Sequence, residues 1–154
     1  MKHLWLILLL ALTSTLSYAQ DNASLNYEIV CAGNATAGYY LVKITAITNK
    51  KKNVNMELVK KCAVHGVLYK GFTGDRGCTS QKALLDNSIH IEEHSKVLNS
   101  FVYDRYSDFA ISLDNSLKVV KLGKNFRVSA IITVDKDKLR KELEKAGVIR
   151  KLGL

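Results

Sequence analysis

A chain of 154 residues, 47% of them hydrophobic, with no proline and nine glycines, has the material for one packed core and lacks the composition of linkers or low-complexity segments. Its 23 lysines and arginines stand against 14 aspartates and glutamates, a formal net charge of +9 that favours anionic partners. After residue 19 no apolar run approaches the ~18 residues of a membrane helix, so no transmembrane anchor is expected.

The first residues have the three regions of a secretory signal peptide: Lys2 and His3, an apolar run from Leu4 to Leu12, and the small-x-small exit Ser17-Tyr18-Ala19. Cleavage after Ala19 divides the chain into a signal peptide over 1–19 and a single α+β domain over 20–154, periplasmic or secreted, with Gln20 first. The residue directly after the cleavage point is Gln20 rather than a cysteine, so no lipid anchor is expected. For an exported basic domain the available anions are phosphate-bearing headgroups, acidic polysaccharide or an acidic protein. Nucleic acid is not expected there, and the basic residues lack the interleaved aromatics of a strand-stacking platform.

Tyr27 to Cys31 reads as a short strand, Gly33 to Gly38 as a turn, and Tyr39 to Thr48 as a strand with alternating faces. Tyr40, Val42, Ile44 and Ala46 share one side, the period-2 pattern of a sheet buried on one face. Asn53 or Asn55 can cap a helix reaching Tyr69, with Val59, Cys62, Ala63, Gly66 and Val67 at helical spacing and Gly71 at its end. Gly66 inside that helix costs ~1 kcal/mol relative to Ala, which points to a close crossing over another element. A long loop follows to Asn87. Ser88 can then cap a second helix from Ile89 to Tyr103, with His94, Val97, Leu98, Phe101 and Val102 as its stripe. Phe109 to Leu113, Leu117 to Leu122 and Phe126 to Val134 read as β, the last two joined at Gly123-Lys124-Asn125. Asp135 caps a final helix that Gly147 ends. The order ββ-αα-ββ-α implies an antiparallel or mixed sheet of four to five strands with helices on one face.

Three cysteines in an oxidising compartment make one disulfide with one thiol left over, and several pairings are open. Cys62 falls on an apolar helix stripe and reads as core, which favours Cys31 with Cys78. No C-x-x-C spacing exists, so neither a thioredoxin-type site nor the common zinc knuckle is expected. His90-Ile91-Glu92-Glu93-His94 matches H-x-x-E-H, which on a helix sets two imidazoles one turn apart beside a carboxylate. His90, Glu93 and His94 are therefore candidate metal ligands, set against a solvated first turn whose glutamates favour the helix dipole. Cys62 and His65, three apart, form a conceivable nucleophile pair, but a thiol on an apolar face is held protonated. Asp104, Asp108, Asp114 and Asp135 lack a paired spacing, and Tyr103, Tyr106 and Phe109 suit core packing.

Three segments together, Gly38 to Ile44, Lys61 to Gly71, and Lys121 to Lys124 continuing through Leu139 to Ile149, resemble a family of small uncharacterised exported proteins of Bacteroidota-type bacteria, found in gene neighbourhoods of curli-pore-like outer-membrane lipoproteins. The resemblance covers most of the chain after the signal peptide and implies no catalytic or binding residues. Cys62 departs from its pattern, and His90 and His94 lie outside it.

The expected function is that of a non-enzymatic exported accessory protein, contacting an envelope protein or an anionic envelope surface, with no catalytic residue and no cofactor. Lys50, Lys51 and Lys52, with Lys138, Arg140, Lys141, Arg150 and Lys151, are the expected interaction surface. The alternatives are a metal-binding protein or zinc-dependent hydrolase at His90 and His94, and a binder of anionic glycan or lipid.

Overall fold

A computed structural model describes residues 25–74, 77–86, 89 and 91–151; residues 1–19, read above as a signal peptide, the expected cap Ser88 and His90 lie outside them. The described chain runs β1 (Tyr27–Gly33), β2 (Tyr39–Thr48), α1 (Met56–Tyr69), α2 (Ser95–Asn99), β3 (Ala110–Ser112), β4 (Lys118–Leu122), β5 (Asn125–Asp135) and α3 (Lys136–Lys145). All strand pairs are antiparallel, in the order β1-β2-β5-β3, and β4 also pairs with β5. The fold is α+β.

β2 and β5 are the spine, paired over the whole length of β2 from Tyr39↔Asp135 to Thr48↔Phe126. The alternation expected in β2 is present: Val42, Ile44 and Ala46 are buried beside Val128, Ala130, Ile132 and Val134 of β5. Lys43 and Ile47, one residue out of phase, are exposed. α1 lies across the apolar face. Its Val59, Cys62, Ala63, Val67 and Leu68 are all at most 1% exposed, a width of stripe that a helix spanning several strands requires.

Local chemistry sets the ends of α1. Asn55 caps it, the side-chain oxygen accepting from Leu58 N at 3.0 Å. At the other end the orphan carbonyls of Val67 and Leu68 accept from the amides of Leu84 and Leu85, both at 3.0 Å, so the long loop is tied to the helix it leaves. Gly66 sits over β1: a Cβ there would come within 2.6 Å of Ile29 Cδ1. Gly71 turns with φ +68°, and a Cβ would meet the Gln81 carbonyl. Phe72 and Gln81 then exchange two 2.9 Å backbone bonds, while Cys31 N donates to Thr73 O at 3.0 Å, covering the outer edge of β1. A disulfide joins Cys31 to Cys78, Cα atoms 6.2 Å apart, fastening the same loop to that edge.

The second helix is shorter than the spacing suggests. Ile91 to His94 form a turn held by His94 N to Ile91 O at 3.2 Å and Ser95 N to Glu92 O at 3.3 Å, and the regular helix begins at Ser95 with no side-chain cap. The reason is burial: Leu98, Phe101 and Val102 reach the core, whereas Ile91, Glu92 and Glu93 face water and have nothing to dock against. From Ser100 to Asp104 the winding loosens to a π-turn, closed by Arg105 N to Ser100 O at 2.8 Å.

β3 and β4 share one side of β5, against Ile132–Val134 and Asn125–Ser129 respectively. They are one edge strand interrupted at Asp114-Asn115, where Asn115 has φ +56°. Ser116 bridges the gap, its hydroxyl donating to Leu113 O at 2.7 Å and accepting from Ile131 N at 3.3 Å. Asp135 ends β5 and caps α3, accepting from Lys138 N at 2.9 Å.

Candidate functional site: the helix-free face of the sheet

With helices on one side, the described residues leave the other side of the sheet uncovered. The registers place Glu28, Thr45, Ser129 and Lys118 in one row across four strands, and Ile47, Arg127 and Val120 in the next. Together with Lys43 they line an open depression of about 660 Å³. Lys43, Lys118 and Arg127 are exposed, face one carboxylate, Glu28, and make no ion pair among the described residues. Ile47 is 38% and Val120 50% exposed between them. A wide, shallow face mixing cations with uncovered apolar groups is suited to contact rather than to enclosing a small substrate.

The expected lysine and arginine surface is not one surface. Lys50, Lys51 and Lys52 follow β2 beyond Thr48, and Lys50 and Lys52 line a cleft of about 310 Å³ with Lys61, Glu57 and Tyr103 at the start of α1. Lys138, Arg140 and Lys141 sit on α3, which starts beside Gly38 at the opposite end of β2. A ten-residue strand separates the two groups by roughly 30 Å at ~3.3 Å per residue. Moreover Lys138 donates to Asp108 O at 3.0 Å and Arg140 to Glu144 at 3.2 Å. Lys141, Arg150 and Lys151 are exposed. Sequence clusters missed Lys43 and Glu28 because face-sharing in a sheet follows register between strands, not proximity along the chain. The outward phase of β2 was the available signal.

For the metal reading, the helix assumed for H-x-x-E-H is absent at Glu93 and His94, which lie in the turn before α2, Glu93 exposed. His90 lies outside the described residues, and among the described residues no three His, Cys, Asp or Glu side chains gather at one point. Cys62 and His65 do not pair either. Burial pushes the Cys62 thiol up to about 12, against a smaller opposing effect of Lys70. His65 instead meets Tyr27, whose hydroxyl oxygen lies 2.6 Å from Nδ1 in a hydrogen bond, and its ring lies 4.6 Å from that of Tyr69. Burial first, then the Lys70 charge, pull the imidazole down to about 4. Burial likewise raises the Tyr27 phenol, over whose ring Lys70 Nζ sits at 4.0 Å. A neutral imidazole, a protonated phenol and a protonated thiol form a structural polar cluster with no activated nucleophile.

The aromatic residues near the end of the second helix pack as core: Phe109 is fully buried, 5.4 Å from Phe101, and Tyr103 and Tyr106 are half-buried. No helix among the described residues is long and apolar enough to cross a membrane. No family model, no curated protein and no solved structure matches the chain.

Proposed function

We propose that the chain is a non-enzymatic, exported accessory protein of the bacterial envelope that works by contact with a partner protein or an anionic envelope surface. The observation that carries this reading is the helix-free sheet face, where Lys43, Lys118 and Arg127 surround exposed Ile47 and Val120. Export is supported by the sequence of residues 1–19 and by the Cys31–Cys78 disulfide, which persists where thiols are not kept reduced. The family resemblance of the three segments points to the same compartment.

The test uses the exported chain in its host. Chemical cross-linking and envelope fractionation are expected to recover the wild type with envelope material, in a salt-sensitive manner. The double variant Lys43→Glu/Arg127→Glu should be recovered with the soluble fraction. Wild-type chain found as a free monomer under both conditions would end the proposal. Vesicles bearing anionic lipid separate the two kinds of partner: retention on them without envelope protein assigns the contact to the surface itself.

A further inference from the structure

We propose that β4 is a docking edge for an extended, acidic segment of a partner protein, added to the sheet as a further antiparallel strand. The inference rests on the contact reading above and deepens it. β4 joins β5 through the two-residue turn Gly123-Lys124, where Gly123 has φ +59°. Asp135 N bonds Phe109 O at 2.8 Å and Leu113 N bonds Ile131 O at 3.1 Å, which fixes the odd-numbered residues of β5 as those bonding towards this edge. In an antiparallel ladder, Lys118, Val120 and Leu122 then bond inwards to Ser129, Arg127 and Asn125. The amides and carbonyls of Val119 and Lys121 point away from the sheet, without a hydrogen-bond partner among the described residues.

Every residue of β4 is exposed, including Val119 at 46%, Val120 at 50% and Leu122 at 39%. The contrast with the opposite edge is plain: β1 is covered by Thr73 and by the Cys31–Cys78 disulfide. An uncovered apolar edge with outward backbone groups is a template for strand addition.

Charge selects the occupant. Lys118, Lys121, Lys124 and Arg127 surround the strand, all exposed and none ion-paired among the described residues. A second copy of this chain would bring the same four cations to the ribbon, so self-pairing is opposed. A strand that alternates acidic with β-branched residues can set its carboxylates on the sheet face of Lys118 and Arg127 and its apolar groups on the opposite face, beside Val119.

The experiment titrates the isotopically labelled, disulfide-bonded chain with a blocked peptide of alternating Val and Glu, and with its Val and Lys counterpart. The Val and Glu peptide should bind, with affinity falling as salt rises, and should slow hydrogen exchange at the Val119 and Lys121 amides; the Val and Lys peptide should not bind. Val119→Pro removes one outward donor and leaves the bonds to β5 intact, so binding should weaken about tenfold or more. Lys118→Glu/Arg127→Glu, which changes the two cations of one face, should reverse the preference between the peptides, a readout independent of whether the proline variant folds. Binding unaffected by both variants, exchange protection elsewhere, no binding of the acidic peptide, or self-association through β4 would each overturn the proposal. Recovery with envelope material by cross-linking, combined with any of these results, would leave the contact function standing and remove only the edge.

Discussion

His65 shows how a residue that looks like chemistry in the sequence becomes structure in the fold. Its folded-state pKa lies near 4, against 6.5 for the free side chain. Between those values the unfolded chain holds more protons, so stability is fully present above pH 6.5 and falls as the pH drops through the window. Glu57, held below its ordinary 4.5 first by the Lys61 hydrogen bond, acts in the same direction but only below that value. Urea unfolding at pH 7.5 and 4.5 should therefore differ by about 1–2 kcal/mol, reduced from the full linkage value because the ring is partly exposed. His65→Gln should flatten the dependence; an equally steep slope in that variant would assign it elsewhere. Gly66 is a second residue-scale case. Gly66→Ala gains helix propensity but presses on Ile29 Cδ1 at 2.6 Å, a net loss of about 1–2 kcal/mol. In an Ile29→Val background, which lacks that atom, the loss should shrink to near zero in the same urea measurement. The close crossing was legible from the glycine alone; the strand it crosses was not, because that depends on the path of β1.

At the scale of elements, period-2 alternation and caps carried most of the information. β2, β5, α1 and α3 stand where apolar phase, Asn55 and Asp135 place them, because each buries a continuous face and has a side chain ready to begin it. The second helix differs because Ile91, Glu92 and Glu93 of its expected first turn stay exposed, so tertiary packing rather than local spacing decides where it begins. The interrupted edge depends on one hydroxyl. Ser116→Ala leaves the Ile131 amide and Leu113 carbonyl without that partner, which should cost about 1–2 kcal/mol. Amide exchange at Ile131 should accelerate more than exchange at Val128; uniform acceleration would mean the bridge has no local role.

For the whole molecule, the decisive features are the division of the sheet into a covered and an uncovered face and the disulfide that closes one edge. A bridge across 47 residues of sequence stabilises by about 3–4 kcal/mol. Cys31→Ser/Cys78→Ser should lose that amount in urea unfolding, while the wild type with reductant should match the variant. Composition announced a basic single core, and the charge clusters along the chain suggested several surfaces; only the strand registers place Lys43, Lys118 and Arg127 on one of them. Contact through that face is the central claim, and site-specific photo-cross-linking in the host tests it most directly. A photoreactive residue at Thr45, in the middle of the open face, should give a discrete adduct, whereas one at Lys141 on α3 should not. No adduct from Thr45, or an identical pattern from both positions, would contradict the account.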